Sequence, residues 1–420
     1  MAKVIKKHWI AEIDAGLARR DRRSCDYEAY VPDVLTGRRI ALDGDAAADV
    51  ADAERAIVAL DARAVTLADT EALARILLRA ECVASSRIEG LEVGARRLLR
   101  AEAAQDLGEQ STDLTAIEVL GNINAMSATI QSISPSDQIT VNQLLAFHRT
   151  LLANTRLAEH AGMIRTQQNW IGGSSFNPCS AAFIPPPPEC VPDLLEDLCR
   201  FCNDDHLPAV AQAAIAHAQF ETIHPFADGN GRTGRALIHL VLRRRGLATR
   251  ILPPISLVLA TWANDYIAGL EATRYRGPAS SKAAHDGQNL WVARFAAATQ
   301  RAVDDASGFE AGTQALEGDW RTRLGPVRAN SATDRLLRAL PGAPLLTVDS
   351  AAVLIGRSYA AANEAMARLL DAGILRQVTA GRRNRAFEAP AIIEAFTDLE
   401  RQLASPEGDT RTSEPARRVP

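Results

Sequence analysis

The stretch His224-Pro225-Phe226-Ala227-Asp228-Gly229-Asn230-Gly231-Arg232-Thr233-Gly234-Arg235 constrains the fold of this chain more than any other. Pro225 lacks a backbone N–H and restricts the residue before it, so the sequence predicts that a helix ends at His224. Glycines on both sides of Asn230 permit a sharp bend and a close approach of the backbone to a ligand. A second helix is therefore expected to begin at about Gly231 or Arg232.

The side chains of this stretch are those that phosphate chemistry uses. Asp228 offers a carboxylate, the ligand type that Mg²⁺ prefers. The free N–H groups and the positive dipole end of the second helix form an anion site. Arg232 and Arg235 lie on one face of its first turn, and two guanidinium groups there suit a polyphosphate. With His224 as a base, the stretch predicts phosphoryl or nucleotidyl transfer, and its lack of lysine excludes a Walker P-loop.

The same residues carry a resemblance to a known family. HPFADGNGRTGR resembles the HPFx(D/E)GNGRxxR motif of the Fic family, whose members transfer AMP from ATP to protein hydroxyl groups, and AIAHAQFETI and RTQQNWIGG…AAFIPPPP are similar to that family too. The likeness covers roughly residues 30–300. It implies a mainly α fold and a protein adenylyltransferase that releases pyrophosphate. It also implies ATP and Mg²⁺, a target protein or the chain itself as acceptor, and a homodimer.

The resemblance implies a role for each residue of the motif. His224 would be the general base that takes the proton of a Tyr, Thr or Ser hydroxyl, and Asp228 would hold Mg²⁺. Tyr266 is a candidate for the adenine pocket, and Phe226 for a core anchor. The nucleotide would be bound by Gly229, Asn230, Gly231, Arg232, Thr233, Gly234 and Arg235. The first three of these would cradle the α-phosphate, Arg232 the β-phosphate and Arg235 the γ-phosphate.

A second short motif precedes this core. Ser85-Ser86-Arg87-Ile88-Glu89-Gly90 resembles the inhibitory motif (S/T)xxxE(G/N) of the family. The resemblance implies that Glu89 pairs with Arg235, blocks the γ-phosphate contact and leaves ATP in a non-productive pose. The alternative is an ordinary helix N-cap followed by an exposed glutamate.

Residues 166–188 differ from the helical patterns around them. Gly172-Gly173 separates two β-prone runs, which predicts a β-hairpin, and the run Pro185–Pro188 predicts an extended exit. The segment resembles the flap on which targets of the family dock by strand addition. A plain surface hairpin is the alternative.

Composition limits the class of protein. The 420 residues are 47% hydrophobic and 23% charged, with a net charge of −4, which excludes binding of nucleic acid by bulk charge. Neither a signal peptide nor a membrane span is predicted, so we expect a cytoplasmic protein without membrane contact. Cys199 and Cys202 form a CxxC pair within one helical pattern, and the six cysteines are interpreted as reduced thiols and not a zinc site.

The C-terminal part has the order of a winged helix-turn-helix. Its recognition helix would be 358–370, with Arg382, Arg383 and Arg385 in a basic wing. Eight cations balance eight acids between residues 331 and 400, so affinity for DNA would be modest, and DNA and protein contact both stay open. The predicted divisions are an N-terminal helical region (1–110), the catalytic core with its hairpin flap (111–305), a linker (306–330), the winged helix (331–403) and a disordered tail (404–420).

Other interpretations remain for the core. His217, Glu221 and His224 share a helical face at a spacing that can bind zinc, although the following GNGRTGR would then have no role. A DNA-binding regulator whose core only binds nucleotide is another alternative. A Fic enzyme with a different donor or an AMP-removing activity is a third.

Overall fold

The computed structural model describes residues 1–11, 18, 21–64, 70–106, 111–380 and 384–404. Helices dominate the described residues, and two small sheets accompany them. The helices, numbered along the chain, are α1 Gly44–Ala64, α2 Thr70–Ile88, α3 Ala95–Asp106, α4 Leu114–Gln131, α5 Val141–Leu152, α6 Val191–Cys202, α7 Ala209–Ile223, α8 Asn230–Arg244, α9 Ile255–Thr261, α10 Ala263–Ala272, α11 Lys282–Leu324, α12 Ala332–Ala339, α13 Val348–Ile355, α14 Tyr359–Asp371 and α15 Pro390–Ala404. The strands are β1 Lys3–Trp9, β2 Cys25–Val31, β3 Leu345–Leu346, β4 Arg376–Ala380 and β5 Asn384–Glu388.

The first of two compact units comprises Met1–Asp52, Thr129–Gly246 and Asn264–Ala297. Helix α7 is its centre, because every residue from Ala209 to Ile223 is buried. A helix that is buried on all sides is surrounded by protein, and α8 packs directly against it. Trp291 of α11 is 1% exposed, and its Nε1 donates to the carbonyl of Ala214 at 2.7 Å. The two halves of the motif thus lie on buried, well-fixed helices.

A β-hairpin at the N-terminus was not expected from the sequence. β1 and β2 pair antiparallel, from Lys3 opposite Val31 to Trp9 opposite Cys25. Lysines and a histidine interrupt the apolar pattern of β1, so a period of two is hard to recognise there. The N–H of Tyr30 donates to the carbonyl of Ile184 at 2.9 Å, which joins β2 to the exit of the 166–188 segment.

One disulfide corrects the interpretation of the cysteines. Cys25 at the start of β2 is bonded to Cys179 in the 166–188 segment, whereas the sequence predicted reduced thiols. The two cysteines are 154 positions apart, so the sequence carries no local signal for the pairing. The other four cysteines, Cys82, Cys190, Cys199 and Cys202, are free thiols. Cys199 and Cys202 are buried on α6, as the CxxC interpretation expected.

The flap, residues 166–188, contains one antiparallel bridge in place of two full strands. That bridge joins Ile171 to Phe183. Gly172 and Gly173 both have φ of +75°, a conformation that glycine adopts without steric cost. A Cβ at Gly173 would lie 2.4 Å from the carbonyl oxygen of Ser180, so the turn is also tightly packed. The prolines that follow have no N–H to donate, which ends the pairing after Ile184.

The second compact unit comprises Ala53–Ala128, Leu247–Ala263 and Ala298–Pro420. Helices α2 and α9 pack together in it, and the buried carboxylate of Glu81 accepts a hydrogen bond from the N–H of Ser256 at 2.7 Å. A hydrophobic cluster formed by α2, α3 and α4 includes Val83, Leu98 and Val119. This arrangement fixes α2, whose last turn carries the Ser85–Gly90 motif.

The C-terminal elements belong to this second unit. Strands β3, β5 and β4 form an antiparallel sheet in that order, and α12, α13 and α14 have side-chain caps at their N-termini. Ala103 of α3 packs against Ala386 of β5, and α15 contacts both α3 and α9. The sequence predicted a separate domain from residue 331. The wing residues Arg382 and Arg383 and the tail after residue 404 lie outside the described residues.

Helix α11 continues through most of the predicted linker. Residues 306–324 are helical, although they contain three glycines, each of which costs about 1 kcal/mol relative to alanine in a helix. Phe309 and Trp320 are buried at 7% and 1% exposure, and Arg321 pairs with Glu317 one turn earlier. Burial of these rings offsets the glycine cost. None of the described helices is both long and apolar enough to cross a membrane.

Candidate active site

His224 lies at the C-terminal end of α7 in a left-handed conformation. Its φ and ψ are 49° and 62°, and its N–H donates to the carbonyl of Phe220 at 2.9 Å. This conformation costs a non-glycine residue roughly 1–2 kcal/mol. The helix end that the sequence predicted at His224 is confirmed. His224 therefore stands at the junction between α7 and the motif loop.

Asn230 closes that loop with its side chain. Its Oδ1 accepts from the N–H of Phe226 at 2.8 Å, and its Nδ2 donates to the carbonyl of Phe226 at 2.9 Å. Gly229, with φ of +72°, precedes it, and α8 begins at Asn230, one or two residues earlier than predicted. The side-chain amide of Asn230 is therefore used within the loop. The backbone groups of Gly229–Gly231 remain as the candidate contacts to a ligand.

His148 of α5 also contacts the motif loop, a role that the sequence did not indicate. The ring accepts from the N–H of Gly162 through Nδ1 at 2.9 Å, so Nε2 carries the proton and donates to the carbonyl of Asp228 at 2.9 Å. The ring stacks on Phe226 with centroids 3.8 Å apart. Burial lowers the pKa of His148 to about 4, which keeps the ring neutral. No local pattern links residues 80 positions apart.

Arg165 and Asn169 were also missed. The Nε of Arg165 donates to the carbonyl of His224 at 2.8 Å, and the Nδ2 of Asn169 donates to the carbonyls of His224 and Phe226 at 3.3 and 3.0 Å. These bonds hold His224 in its left-handed conformation. Both residues belong to or border the flap, 55 to 59 positions away from His224 in sequence.

Arg232 and Asp228 form the polar centre of the site. The side chain of Asp228 is 50% exposed, that of Arg232 is 3% exposed, and Nη2 of Arg232 lies 3.4 Å from Oδ2 of Asp228. The Nε and Nη1 atoms of Arg232 are buried and have no hydrogen-bond partner among the described residues. Leaving charged donors buried and unsatisfied is costly, so this guanidinium fits a polyanionic ligand.

Mg²⁺ fits the site only as an ion shared between Asp228 and the phosphates of a bound ligand. Asp228 offers a half-exposed carboxylate beside Arg232. No group of three or more His, Cys, Asp or Glu side chains converges anywhere among the residues described. Mg²⁺ commonly uses one or two carboxylates, with substrate phosphates and water completing the octahedron. The donor set here matches that pattern.

The remaining motif residues are buried on α8. Arg235 is 1% exposed, and its charge helps to lower the pKa of His217 on α7, behind the larger effect of burial. The hydroxyl of Thr233 donates to the carbonyl of Gly229 at 2.8 Å. A Cβ at Gly234 would lie 2.4 Å from Oε1 of Glu221. Thr233 and Gly234 thus serve the start of α8 and its close contact with α7.

The zinc interpretation has no support in the geometry. The Nε2 of His217 is hydrogen-bonded to the hydroxyl of Tyr266 at 2.9 Å, and the two rings stack. Tyr266 is 7% exposed and also packs against Trp291, so the structure places this adenine-pocket candidate within the core around α7.

Glu89 follows the last residue of α2 and is exposed. Gly90, with φ of +83°, comes next, and the N–H of Gly90 donates to the carbonyl of Arg87. The motif therefore ends a helix, and the alternative of an N-cap is wrong. Ser86 is fully buried and accepts from the Nδ2 of Asn122 at 3.2 Å, which anchors the end of α2 to α4.

Comparisons with known proteins agree with this geometry. The model of the Fic/DOC family matches residues 138–242, and that of the Fic/DOC family N-terminal region matches residues 47–131. The protein adenylyltransferase fic-1 of Caenorhabditis elegans is 37% identical over 133 residues, which are 31% of this chain and 23% of that protein. The protein adenylyltransferase Fic of Drosophila melanogaster is 35% identical over 139 residues, which are 32% of this chain and 26% of that protein.

The match spans about a quarter of the length of these curated relatives. The crystal structure of a Fic family protein from Desulfovibrio desulfuricans G20 superimposes with a TM-score of 0.50 at 21% identity, over 83% of this chain and 97% of that one, which supports the fold. The chain therefore carries a Fic/DOC domain at residues 138–242, preceded by the N-terminal region of the same family at residues 47–131.

Proposed function

We propose that this chain is a protein adenylyltransferase, which moves AMP from ATP to a hydroxyl group of a target protein or of the chain itself. The observation that carries the proposal is at the start of α8. Arg232 holds two buried N–H groups without a partner among the described residues, 3.4 Å from the half-exposed carboxylate of Asp228. A polyphosphate with a bound cation satisfies both groups together. The names of the relatives support the same activity.

The reaction follows from these positions. His224 takes the proton of the acceptor hydroxyl while the hydroxyl oxygen attacks the α-phosphorus of ATP. The bond from that phosphorus to the bridging oxygen of the β-phosphate breaks, AMP remains on the acceptor and pyrophosphate leaves. The backbone of Gly229, Asn230 and Gly231 is proposed to cradle the α-phosphate. Arg232 is proposed to bind the β-phosphate and Arg235 the γ-phosphate, with Thr233 and Gly234 shaping the turn.

Mg²⁺ is proposed to be held by Asp228. When bound, it would neutralise charge on the phosphate oxygens. The other ligands would be phosphate oxygens and water, because no group of three or more His, Cys, Asp or Glu side chains converges among the described residues.

Autoinhibition by Glu89 is part of the proposal. A carboxylate paired with the guanidinium of Arg235 would compete with the γ-phosphate for the same donors. The match of Ser85–Gly90 to the inhibitory motif supports this role, as does the position of Glu89 after a helix whose end is anchored by Ser86. The flap at 166–188 is proposed to dock the target. A homodimer and a cytoplasmic location are proposed on the family resemblance and the sequence.

The experiment measures the masses of the intact proteins by mass spectrometry after incubation with Mg²⁺ and ATP. The wild-type chain, Glu89→Gly, His224→Ala in the Glu89→Gly background, and Glu92→Gly are compared, the last because Glu92 is a nearby exposed glutamate. We expect the mass of one AMP on Glu89→Gly, little on wild type and Glu92→Gly, and none on the His224→Ala variant. A lysate incubated with ATP labelled at the α-phosphate detects external targets.

Four results would contradict the proposal in whole or in part. Label from the γ-phosphate of ATP, or from another nucleotide only, would point to a different donor. Loss of AMP from a protein that already carries it would indicate an AMP-removing activity. Equal rates of AMP incorporation for Glu89→Gly and wild type would contradict only the proposal that Glu89 inhibits the enzyme. If no donor modifies any protein, the alternative of a core that only binds nucleotide is favoured.

A second activity, DNA binding, is proposed for the C-terminal elements, with a protein-contact role as its alternative. The order α12, β3, α13, α14, β4, β5 supports a winged helix-turn-helix, in which the N-terminal end of the second helix of the motif contacts bases. Arg357, Tyr359 and Asn363 are exposed at that end of α14, and Arg385 is exposed on β5. Binding to a pool of duplex DNA that weakens with salt, and with Arg357→Ala and Arg385→Ala, would support it. Salt-independent or absent binding would favour protein contact.

A further inference from the structure

The side chain of Arg165 connects the flap to the proposed base. Its Nε donates to the carbonyl of His224 at 2.8 Å, and its Nη2 reaches the carbonyl of Ile223 at 3.4 Å. The same guanidinium donates to the carbonyl of Gln167 at 3.0 Å through Nη1 and to that of Pro186 at 2.5 Å through Nη2. One group therefore binds the end of α7, the entry of the flap and its exit.

This guanidinium has an unusual environment for a buried cation. Arg165 is 6% exposed, and each of the acceptors just named is a backbone carbonyl. A buried charge without a carboxylate partner is costly unless its hydrogen-bonding capacity is satisfied. Two of these carbonyls lie at the C-terminal end of α7, where the helix dipole favours a positive charge. A simple apolar contact would join flap and helix at lower cost, so the bonding pattern points to a geometric role.

The backbone and a neighbouring side chain reinforce the same connection. The N–H of Arg165 donates to the carbonyl of Pro225 at 2.9 Å. Asn169 donates to the carbonyls of His224 and Phe226, and the Nε2 of Gln168 donates to that of Pro185 at 2.9 Å. Arg165 and Asn169 thus form hydrogen bonds to three consecutive residues of the motif loop, 224, 225 and 226.

We propose that Arg165 is a positioning residue that sets the flap and the His224 backbone in one register, so that an acceptor aligned on the flap meets a base already held in place. The inference rests on the proposed function. The left-handed conformation of His224 has a cost of its own, and the carbonyl bonds from Arg165 and Asn169 oppose its relaxation. A base displaced by about 1 Å can lose a factor of about 100 in rate, whereas phosphate binding at the start of α8 needs none of these bonds.

The test uses the full chain with Glu89→Gly as parent, and adds Arg165→Ala, Arg165→Lys or, as a matched control, Arg200→Ala, whose side chain is 61% exposed on α6. Affinity for ATP is measured by calorimetry, and the rate of AMP incorporation by intact mass. We expect Arg165→Ala to keep its ATP affinity within about threefold and to lose about 100-fold in rate. Methylguanidinium at millimolar concentration should restore part of that rate, and Arg165→Lys should lie between.

Amide hydrogen exchange supplies a readout that needs no activity. In Arg165→Ala we expect faster exchange both in the flap, at Ile171 and Ala182, and in the loop around Phe226, whose amides are hydrogen-bonded in the structure. Parental rates of AMP incorporation in Arg165→Ala, or faster exchange confined to the flap, would overturn the inference. If Arg165→Ala does not fold, the rate of AMP incorporation and the amide exchange of Arg165→Lys test the inference instead. An inactive parent with coupled exchange would count against the proposed function and not against the coupling.

Discussion

The amide of Asn230 binds both backbone groups of Phe226: Oδ1 accepts from its N–H at 2.8 Å, and Nδ2 donates to its carbonyl at 2.9 Å. Phe226 itself is fully buried and stacks on His148. The loop between α7 and α8 is therefore held by a side chain at the first position of α8. This relationship gives Asn230 a structural task beside the phosphate-binding role proposed for its backbone.

We expect Asn230→Ala to destabilise the protein. The substitution leaves the buried N–H of Phe226 unsatisfied, which costs about 1–3 kcal/mol, and removes one of the two hydrogen bonds to its carbonyl, which keeps the bond from Asn169. The free energy of unfolding, measured by urea denaturation, should fall by about 2–4 kcal/mol. Asn142→Ala is the control, because Asn142 is exposed on α5 and lies outside the motif loop. A loss equal to that of the control would show that the two bonds contribute little.

Arg232→Ala should weaken nucleotide binding without a loss of stability. A hydrogen bond to a charged group contributes about 1.5–3 kcal/mol, so the Kd for ATP should rise by roughly 10- to 150-fold. AMP, which lacks the β-phosphate, should bind both proteins alike. Calorimetric titration with ATP, ADP and AMP measures the three affinities. An equal loss for all three nucleotides would contradict the assignment of Arg232 to the outer phosphates.

The motif was predictable from the sequence because its chemistry is local. The helix end at His224, the turn at Gly229 and the arginines of α8 lie within twelve residues, and glycine and proline restrict the backbone directly. His148 and Arg165 were not predictable by the same reasoning. They reach the loop across 59 to 80 residues, and a helical histidine or an isolated arginine has no sequence pattern that indicates its partner.

Two errors elsewhere have a different physical origin. The strand β1 carries charged residues that hide its alternation, and the Cys25–Cys179 pairing depends on how that strand pair meets the flap. Gly308, Gly312 and Gly318 indicated a linker, but burial of Trp320 and Phe309 makes the segment helical. In these segments tertiary packing determines the structure, although the local sequence favours a different one.

Stability should fall in mild acid because of His217. Burial, together with the charge of Arg235, lowers the pKa of His217 to about 3, while an unfolded histidine has a pKa near 6.5. Between these values the unfolded chain binds a proton that the folded chain does not. The free energy of unfolding therefore decreases as pH falls below about 6.5, by roughly 2–3 kcal/mol at pH 4.5 from this residue.

His217→Gln is the matched variant for this measurement, since it does not titrate. Urea denaturation between pH 7 and pH 4.5 should show a smaller loss for His217→Gln than for the parent. His148 contributes in the same direction, because its pKa is lowered to about 4, so the variant retains part of the slope. Identical slopes for the two proteins would mean that His217 is protonated in the folded state.

The disulfide between Cys25 and Cys179 should stabilise the oxidised protein. A crosslink between residues 154 positions apart restricts the unfolded chain, and the loss of a native disulfide typically costs about 2–5 kcal/mol. Reduction with dithiothreitol should lower the free energy of unfolding of the wild type by that amount and leave Cys25→Ser/Cys179→Ser unchanged. Titration of the denatured, unreduced protein should find four thiols, the number of free cysteines. Six thiols in protein purified without reductant would contradict the disulfide and restore the interpretation drawn from the sequence.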